Sequence, residues 1–266
     1  MRRVTWVLPV LLALPLDGTR LSSAQPPRPA ATPVVVELFT SEGCSDCPPA
    51  DAVLEKLIVM QPVAGAEVIG LGQHVDYWDQ LGWKDRFSSA ALTNRQHVYG
   101  ASFALESVYT PQMIVDGRAQ FVGSDGNAAR KAIERAIAAP HGFITIGVDS
   151  NAADAKKVAL QVNVSNLPKA GRGERADIIV AITEDHLRTT VRSGENHGRT
   201  LTHAAVVRSM TTIGEAAADG PWSAHAEIAI APDWQRDQLK IVAFVQERRG
   251  RAILASASAP LQNSRR

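Results

Sequence analysis

Only two cysteines occur among the 266 residues, and the formal net charge is +1. No internal repeat is visible, and no apolar run beyond the first two dozen residues is long enough to span a bilayer. Each shortage closes off a class of function. Two cysteines cannot build a four-thiolate zinc site or a network of disulfides. A nearly neutral chain offers no electrostatic case for nucleic acid or an anionic membrane as partner. The absence of a repeat sets aside solenoids and propellers. No glycine loop of the phosphate-cradling kind occurs, nor a carboxylate pair in glycosidase context, nor a nucleophile–base–acid set in the second half.

The chain begins with a segment best kept out of fold reasoning. Arg2 and Arg3 precede a mostly apolar stretch from Val4 to Leu16, and Ser22-Ser23-Ala24 offers small residues for cleavage. Residues 1–24 therefore read as an export signal, which implies a periplasmic or secreted protein. Removing them takes away Arg2, Arg3, Arg20 and Asp17 and moves the formal charge from +1 to −1. Residues 25–32 lie in a proline-rich stretch expected to act as an extended tether. With 45% hydrophobic residues, the remainder can build one large core or two small ones.

What is present is concentrated at Gly43-Cys44-Ser45-Asp46-Cys47-Pro48-Pro49, directly after the apolar run Val34–Thr40. That run reads as a buried strand, and Pro48–Met60 as a helix whose first turn tolerates two prolines. A sulfur at such a junction faces the positive end of a helix, which favours its thiolate. Three readings stand: a dithiol/disulfide centre, half of a metal site, and a structural bridge. Zinc is disfavoured, because the seven histidines are scattered and no third cysteine exists. A structural bridge closing so short a loop contributes only about 2 kcal/mol in the chain-entropy model. As a redox pair, Cys44 is expected to be the exposed nucleophile and Cys47 the buried resolving thiol. Asp46 opposes thiolate formation while the helix terminus favours it, so oxidant and reductant remain equally open.

Further along, Glu67–Gln73 reads as a second strand and Ser88–Tyr99 as a helix capped by Ser88 or Ser89. Gln112–Val115 and Ala119–Val122 flank the hairpin signal Asp116-Gly117, and Asp125 caps a third helix. After Gly142 the period changes to two. Short strands are expected at Phe143–Val148, Lys157–Val164, Ala176–Thr183, Thr200–Val207, Ala226–Ile230, Gln238–Val245 and Ala252–Ser256. The expected fold class is an α/β domain over residues 33–140 followed by an all-β, sandwich-like domain over 141–262.

Thr110-Pro111 before a strand and an Asp-Gly hairpin resembles the cis-proline loop of the thioredoxin superfamily. The run Leu38–Asp51 resembles a bacterial family of secreted thioredoxin-like proteins catalogued as a domain of unknown function. So do His74-Val75-Asp76-Tyr77-Trp78, Gly82-Trp83, Arg95-Gln96, Tyr109–Gln112, Gly194-Glu195-Asn196 with Gly198-Arg199, and Val206-Val207-Arg208. The resemblance implies a thioredoxin-like fold for the first half, a cis bond at Pro111 and a Thr110 backbone that meets a substrate cysteine. It implies no substrate. The tryptophan before the active site and the Gly-Pro between the cysteines of thioredoxin proper are both missing here.

Around the motif, His74 and Asp76 follow a buried strand and are expected near Cys44 as proton acceptors, or else bonded within a local turn. A copper reading joins His74 to Cys44 and Cys47, since thiolates suit Cu(I). Trp78 and Trp83 offer a wall for a peptide or the packing of a long loop. Arg86 and Arg95 are candidate partners of Asp76 or Asp79. Glu195, Asn196, His197 and Arg199 form either a polar binding patch or a hydrogen-bond network between the two halves. The expected function is an exported thiol–disulfide oxidoreductase or redox sensor, acting on protein or small-molecule thiols with no cofactor beyond the Cys44–Cys47 disulfide. The rivals are a non-catalytic binding module that keeps the cysteines as a bridge, and a copper carrier.

Overall fold

The computed structural model describes Met1 and residues 31–148, 156–171, 174–216 and 221–261. The expected leader 1–24 and nearly all of the tether 25–32 lie outside the described residues. The first half holds β1 (Thr32–Thr40), α1 (Pro48–Met60), β2 (Ala66–His74), α2 (Ala90–Ser102), β3 (Gln112–Val115), β4 (Ala119–Val122) and α3 (Gly126–Ile137). The second half holds β5 (Phe143–Val148), β6 (Lys157–Ser165), β7 (Ala176–Glu184), β8 (Leu187–Thr190) and β9 (Thr200–His203). It continues through β10 (Val206–Ala216), β11 (Trp222–Ala229), β12 (Leu239–Glu247) and β13 (Ile253–Pro260). The architecture is mixed α/β, with one large sheet and, among the described residues, few helices. No helix among them is long and apolar enough to cross a membrane.

The helix starts follow from local chemistry. Pro48 and Pro49 occupy the first positions of α1, where a missing N–H goes unmissed. Ser89 accepts from Leu92 N at the head of α2, and Asp125 accepts from Asn127 and Ala128 N at the head of α3. Asp116 and Gly117 both take positive φ in the β3–β4 turn, the conformation that a two-residue hairpin requires.

The sheet order is β13-β12-β7-β10-β2-β1-β3-β4. It runs through both halves, so the expected boundary at residues 140/141 does not separate two sheets. The join lies at Val206, which pairs in parallel with Gly72, while Gly72 N donates to Ala205 O at 2.7 Å. β5, β6 and β11 form a second, three-stranded sheet. Val158, Leu160, Val162 and Val164 of β6 pack against Ile178, Val180 and Ile182 of β7 and Ile241, Ala243 and Val245 of β12. The sandwich-like packing is therefore real, but one of its two layers is the sheet shared with the first half.

On the same face of the large sheet, α1 and α3 cover Val34, Val36 and Leu38. The opposite face carries Val35, Ile69, Leu71, Val242, Phe244 and Ile253. The sheet curls back on itself here, since Ile253 N donates to Asp116 O at 2.9 Å and joins β13 to the β3–β4 turn.

The expected strand Thr200–Val207 is two strands. Ala205 takes φ +51°, with its N–H held by Asp185 Oδ1 at 2.8 Å, and this turns the chain between β9 and β10. The strand register then gathers the site. Thr40 lies opposite His74, Phe39 opposite Gln112, and Val206 opposite Gly72. The chain after β1, the loop after β2, the loop before β3 and the turn before β10 consequently meet at one sheet edge.

Candidate functional site

Cys44 and Cys47 are bonded to each other, with their Cα atoms 5.4 Å apart. Cys47 is the N-cap of α1, and its carbonyl accepts from Ala50 N and Asp51 N. Cys44 N donates to Ser41 O, and Cys47 N donates to Cys44 O. With Pro48 and Pro49 lacking N–H groups, this helix start presents fewer donors to a sulfur than an ordinary one.

Cys44 was expected at the exposed turn, but it is only 1% exposed and Cys47 is fully buried. The reason is a cover supplied by the second half. Asn196 Nδ2 donates to Glu42 O and to Cys44 O, both at 2.9 Å, while Glu195 Oε2 accepts from Ser45 N at 3.0 Å. Only Ser45 and Asp46 of the motif remain exposed. Ser193 Oγ donates to Gly82 O, tying the cover to the loop after β2. A Cβ on Gly43 would lie 3.1 Å from Trp78 Cβ, so that loop also presses on the turn.

The Thr110-Pro111 bond is cis, as the resemblance implies. Pro111 is buried and Thr110 partly exposed. A Cβ on Gly123 would touch both Pro111 and Ala50, at 3.2 and 3.0 Å, which places the proline beside the first turn of α1. Trp78 Nε1 donates to Thr110 Oγ1 at 2.8 Å. Gln96 Nε2 donates to Tyr109 O at 2.7 Å and to Gln112 Oε1 at 3.0 Å, so α2 holds the loop on both sides of the cis bond. Of the expected residues, Cys44, Cys47, Trp78, Thr110 and Pro111 are therefore brought together around the start of α1.

Others stand elsewhere. Asp76 is bonded to Thr93 of α2 through both its N–H and its Oδ1, which is the local arrangement. Arg95 pairs with neither Asp76 nor Asp79. It donates to both oxygens of the fully buried Glu37, at 2.7 and 2.9 Å. Arg86 Nη2 donates to Arg188 O at 3.3 Å, and Arg208 Nη1 to Glu184 Oε2 at 2.8 Å. Trp83 Nε1 donates to Glu42 Oε2 at 2.8 Å and forms no open wall.

His74 belongs to a buried cluster around the Glu42 end of the turn. Its Nδ1 lies 2.6 Å from Asp85 Oδ2, which also accepts from Glu42 N at 2.8 Å. The His74 and His203 rings meet edge to face at 4.9 Å, and His203 Nε2 stands 3.2 Å from Glu42 Oε1 without hydrogen-bond geometry. Burial pulls His74 toward the neutral form, but Asp85 beside it outweighs this and raises its pKa. Burial likewise works against the Asp85 carboxylate, yet His74 and the N–H groups of Glu42 and Phe87 hold its pKa below the usual range. Asp51, one turn beyond Cys47, is raised by burial despite the opposing pull of His203 and His74. Spent on Asp85, His74 does not join the two bonded sulfurs as a copper donor set. No group of three or more His, Cys, Asp or Glu among the described residues is placed to hold a metal ion.

Glu42, Asp51, Asp85 and His203 carried no individual signal in the sequence. Their grouping depends on strand ends that meet only in the folded sheet. Glu195, Asn196 and Arg199 were visible as a polar cluster, and their place on the cysteine turn decides between the two readings of that loop: they link the halves.

Residues 35–246 match the family described as a protein of unknown function, DUF1223. The chain belongs to the DUF1223 family. The DUF1223 match runs from β1 to β12, so the family unit takes in both the cysteine turn and the loop that covers it. The chain is similar to a crystal structure of a protein from Agrobacterium tumefaciens, with a TM-score of 0.67 and 26% identity, covering 88% of this chain and 97% of that one. It also shares its fold with HBP35 of Porphyromonas gingivalis, with a TM-score of 0.63 and 15% identity, over 87% of this chain and 76% of the other. No curated protein matches the chain significantly.

Proposed function

We propose that this DUF1223 protein is a thiol–disulfide oxidoreductase or redox sensor of the cell envelope, with a thioredoxin-like first half. The observation that carries the reading is the Cys44–Cys47 disulfide at a strand–helix junction, set beside the cis Thr110-Pro111 bond. Oxidation of a pair so spaced is persistent in an exported protein, and the Arg2-Arg3 leader supplies the export argument. The exposed side chains of Tyr77 and Leu81 flank Trp78, which is bonded to Thr110, and give a protein client apolar surface next to the loop.

In the oxidising direction, a client thiolate attacks Cys44 Sγ. A client–Cys44 bond forms, the Cys44–Cys47 bond breaks, and Cys47 leaves as a thiolate that takes up a proton. A second client thiolate then attacks its own bridged sulfur and releases Cys44, so two electrons pass from client to pair. The reducing direction is the same sequence reversed.

Trapping tests this directly. A Cys47→Ala variant placed in the native envelope is expected to accumulate mixed disulfides through Cys44. The reading is abandoned if it captures no partner where an established oxidoreductase variant does.

The burial of both sulfurs favours a second reading, a structural bridge in a binding module. That reading predicts a reduction potential well below the dithiol range of envelope oxidoreductases, and no preference for Cys44 over Cys47 in alkylation after reduction.

A further inference from the structure

We propose that Asn196 and Glu195 are positioning residues of the Cys44–Cys47 pair: Asn196 sets access to the sulfurs and Glu195 sets the acidity of Cys44. The inference rests on the redox reading of the pair and deepens it. It assigns control of the site to a loop about 150 residues away in sequence.

The Asn196 amide is fully engaged. Its Nδ2 donates to the carbonyls of Glu42 and Cys44, and its Oδ1 accepts from Arg199 Nη1 at 2.8 Å. Arg199 thus fixes which end of the amide faces the turn. The side chain is fully buried, and the two carbonyls it binds are those flanking Gly43-Cys44. Buried amides bonded in this way hold firmly, because breaking one partner strands the others. A client sulfur approaching Cys44 has to displace this loop.

Glu195 acts differently. Its carboxylate accepts from Ser45 N, one peptide unit beyond Cys44, and it is solvent-exposed. That hydrogen bond holds its pKa below the usual range, so the negative charge is present wherever the pair works. The charge stands beside the place where a Cys44 thiolate forms. The other charged groups around the turn are Asp46 within the motif, Asp51 one turn into α1, and Glu42 before it, with His203 and His74 beyond. Arg192, His197 and Arg199 lie on the covering loop itself.

Two variants separate closure from charge. Asn196→Asp keeps the shape but turns the donor pair into acceptors facing two carbonyls. Glu195→Gln keeps an acceptor for Ser45 N and removes only the charge. The first measurement is the rate at which dithiothreitol reduces the disulfide. One dithiothreitol thiolate attacks Cys44 Sγ and expels the Cys47 thiolate, which is protonated by solvent. The second thiolate closes the reagent's own ring disulfide and releases Cys44, so the reagent loses the two electrons the pair gains.

Asn196→Asp is expected to be reduced at least about tenfold faster than the wild type, the effect of losing one to two kcal/mol of closure. Glu195→Gln should stay within about twofold. The second measurement is the pH profile of Cys44 alkylation in a Cys47→Ser background, where Cys44 is the sole thiol. There Glu195→Gln should lower the Cys44 pKa by about half a unit, the size expected of an exposed charge about 5 Å away.

If Asn196→Asp fails to fold, Arg199→Ala, an exposed change that frees the amide, serves in its place and should be reduced faster as well. Wild-type reduction rates in Asn196→Asp, or in Arg199→Ala where it stands in, overturn the access role. An unchanged alkylation profile in Glu195→Gln overturns the charge role. Dithiothreitol reports on the cover whether or not any client exists, so failure to trap clients sinks the redox function while leaving this result readable.

Discussion

Glu37 sits in the middle of β1 between apolar neighbours, and its charge is kept there by groups that reach it from three elements. Arg95 donates twice to it from α2, Tyr99 OH and Gln73 Nε2 add further bonds, and Gln246 of β12 donates to Tyr99 OH at 2.6 Å. Burial raises the Glu37 pKa, but Arg95 and these hydrogen bonds outweigh it and hold the group ionised. Arg95→Met is expected to destabilise the fold by about 3–5 kcal/mol in urea titrations, because it strands a buried carboxylate; adding Glu37→Leu should recover part of the loss. A second buried pair gives a pH signature. Asp116 Oδ1 accepts from Val35 N, and its Oδ2 lies 3.0 Å from His141 Nε2. The bond to Asp116 raises the His141 pKa, while burial raises that of Asp116. Groups with raised folded values stabilise fully below their unfolded pKa and lose that contribution as pH climbs through the folded one. The urea midpoint should therefore fall above the ordinary histidine range, near pH 6.5, and His141→Gln should flatten the fall. His74, also raised, contributes in the same direction. None of this pairing was legible in the sequence: a lone glutamate in a strand, or an arginine on a helix, does not name its partner.

The helices and hairpin were the most legible elements because their signals are local. Pro48–Met60, Gln112–Val115 and Ala119–Val122 have the expected bounds, and the α2 cap falls on Ser89, one of the two expected residues. Asp125→Ala should cost about 1 kcal/mol through loss of the bonds to Asn127 and Ala128 N, seen as a lower unfolding midpoint. Less legible was β8, whose four residues Leu187–Thr190 carry no alternation strong enough to stand out. The covering loop depends on Gly194, which takes φ +74° and would bring a Cβ to 3.1 Å from Trp83 Cβ. Gly194→Ala should cost roughly 1–2 kcal/mol locally. Limited proteolysis is the check, with faster cutting between residues 192 and 199 than in the wild type.

The whole molecule is held by a sheet to which both halves contribute strands. A fragment of residues 31–141 would lose β10 from the edge of β2, and with it the residues of β7, β12 and β13 that close the face carrying Val35, Ile69 and Leu71. Such a fragment is expected to show no cooperative unfolding transition in urea, whereas two independent domains would give one. The period-two pattern after Gly142 announced strands, and the sequence was read correctly to that depth. It could not announce that four of them extend the first sheet, because strand partnership is a long-range choice that alternation within a strand does not encode. Half of the candidate site was visible for the same reason: the cysteines and the Thr-Pro step are contiguous motifs, while their cover is assembled across 152 positions.

That separation has a consequence for how the molecule is made. At ordinary translation speeds, roughly 8–30 s pass between the emergence of Cys44 and that of Asn196. The sulfurs are thus naked throughout the early life of the chain and sealed only near its end. Whatever oxidation state the pair has acquired by then is the one enclosed. The loop therefore records the chemistry of the compartment where folding finishes.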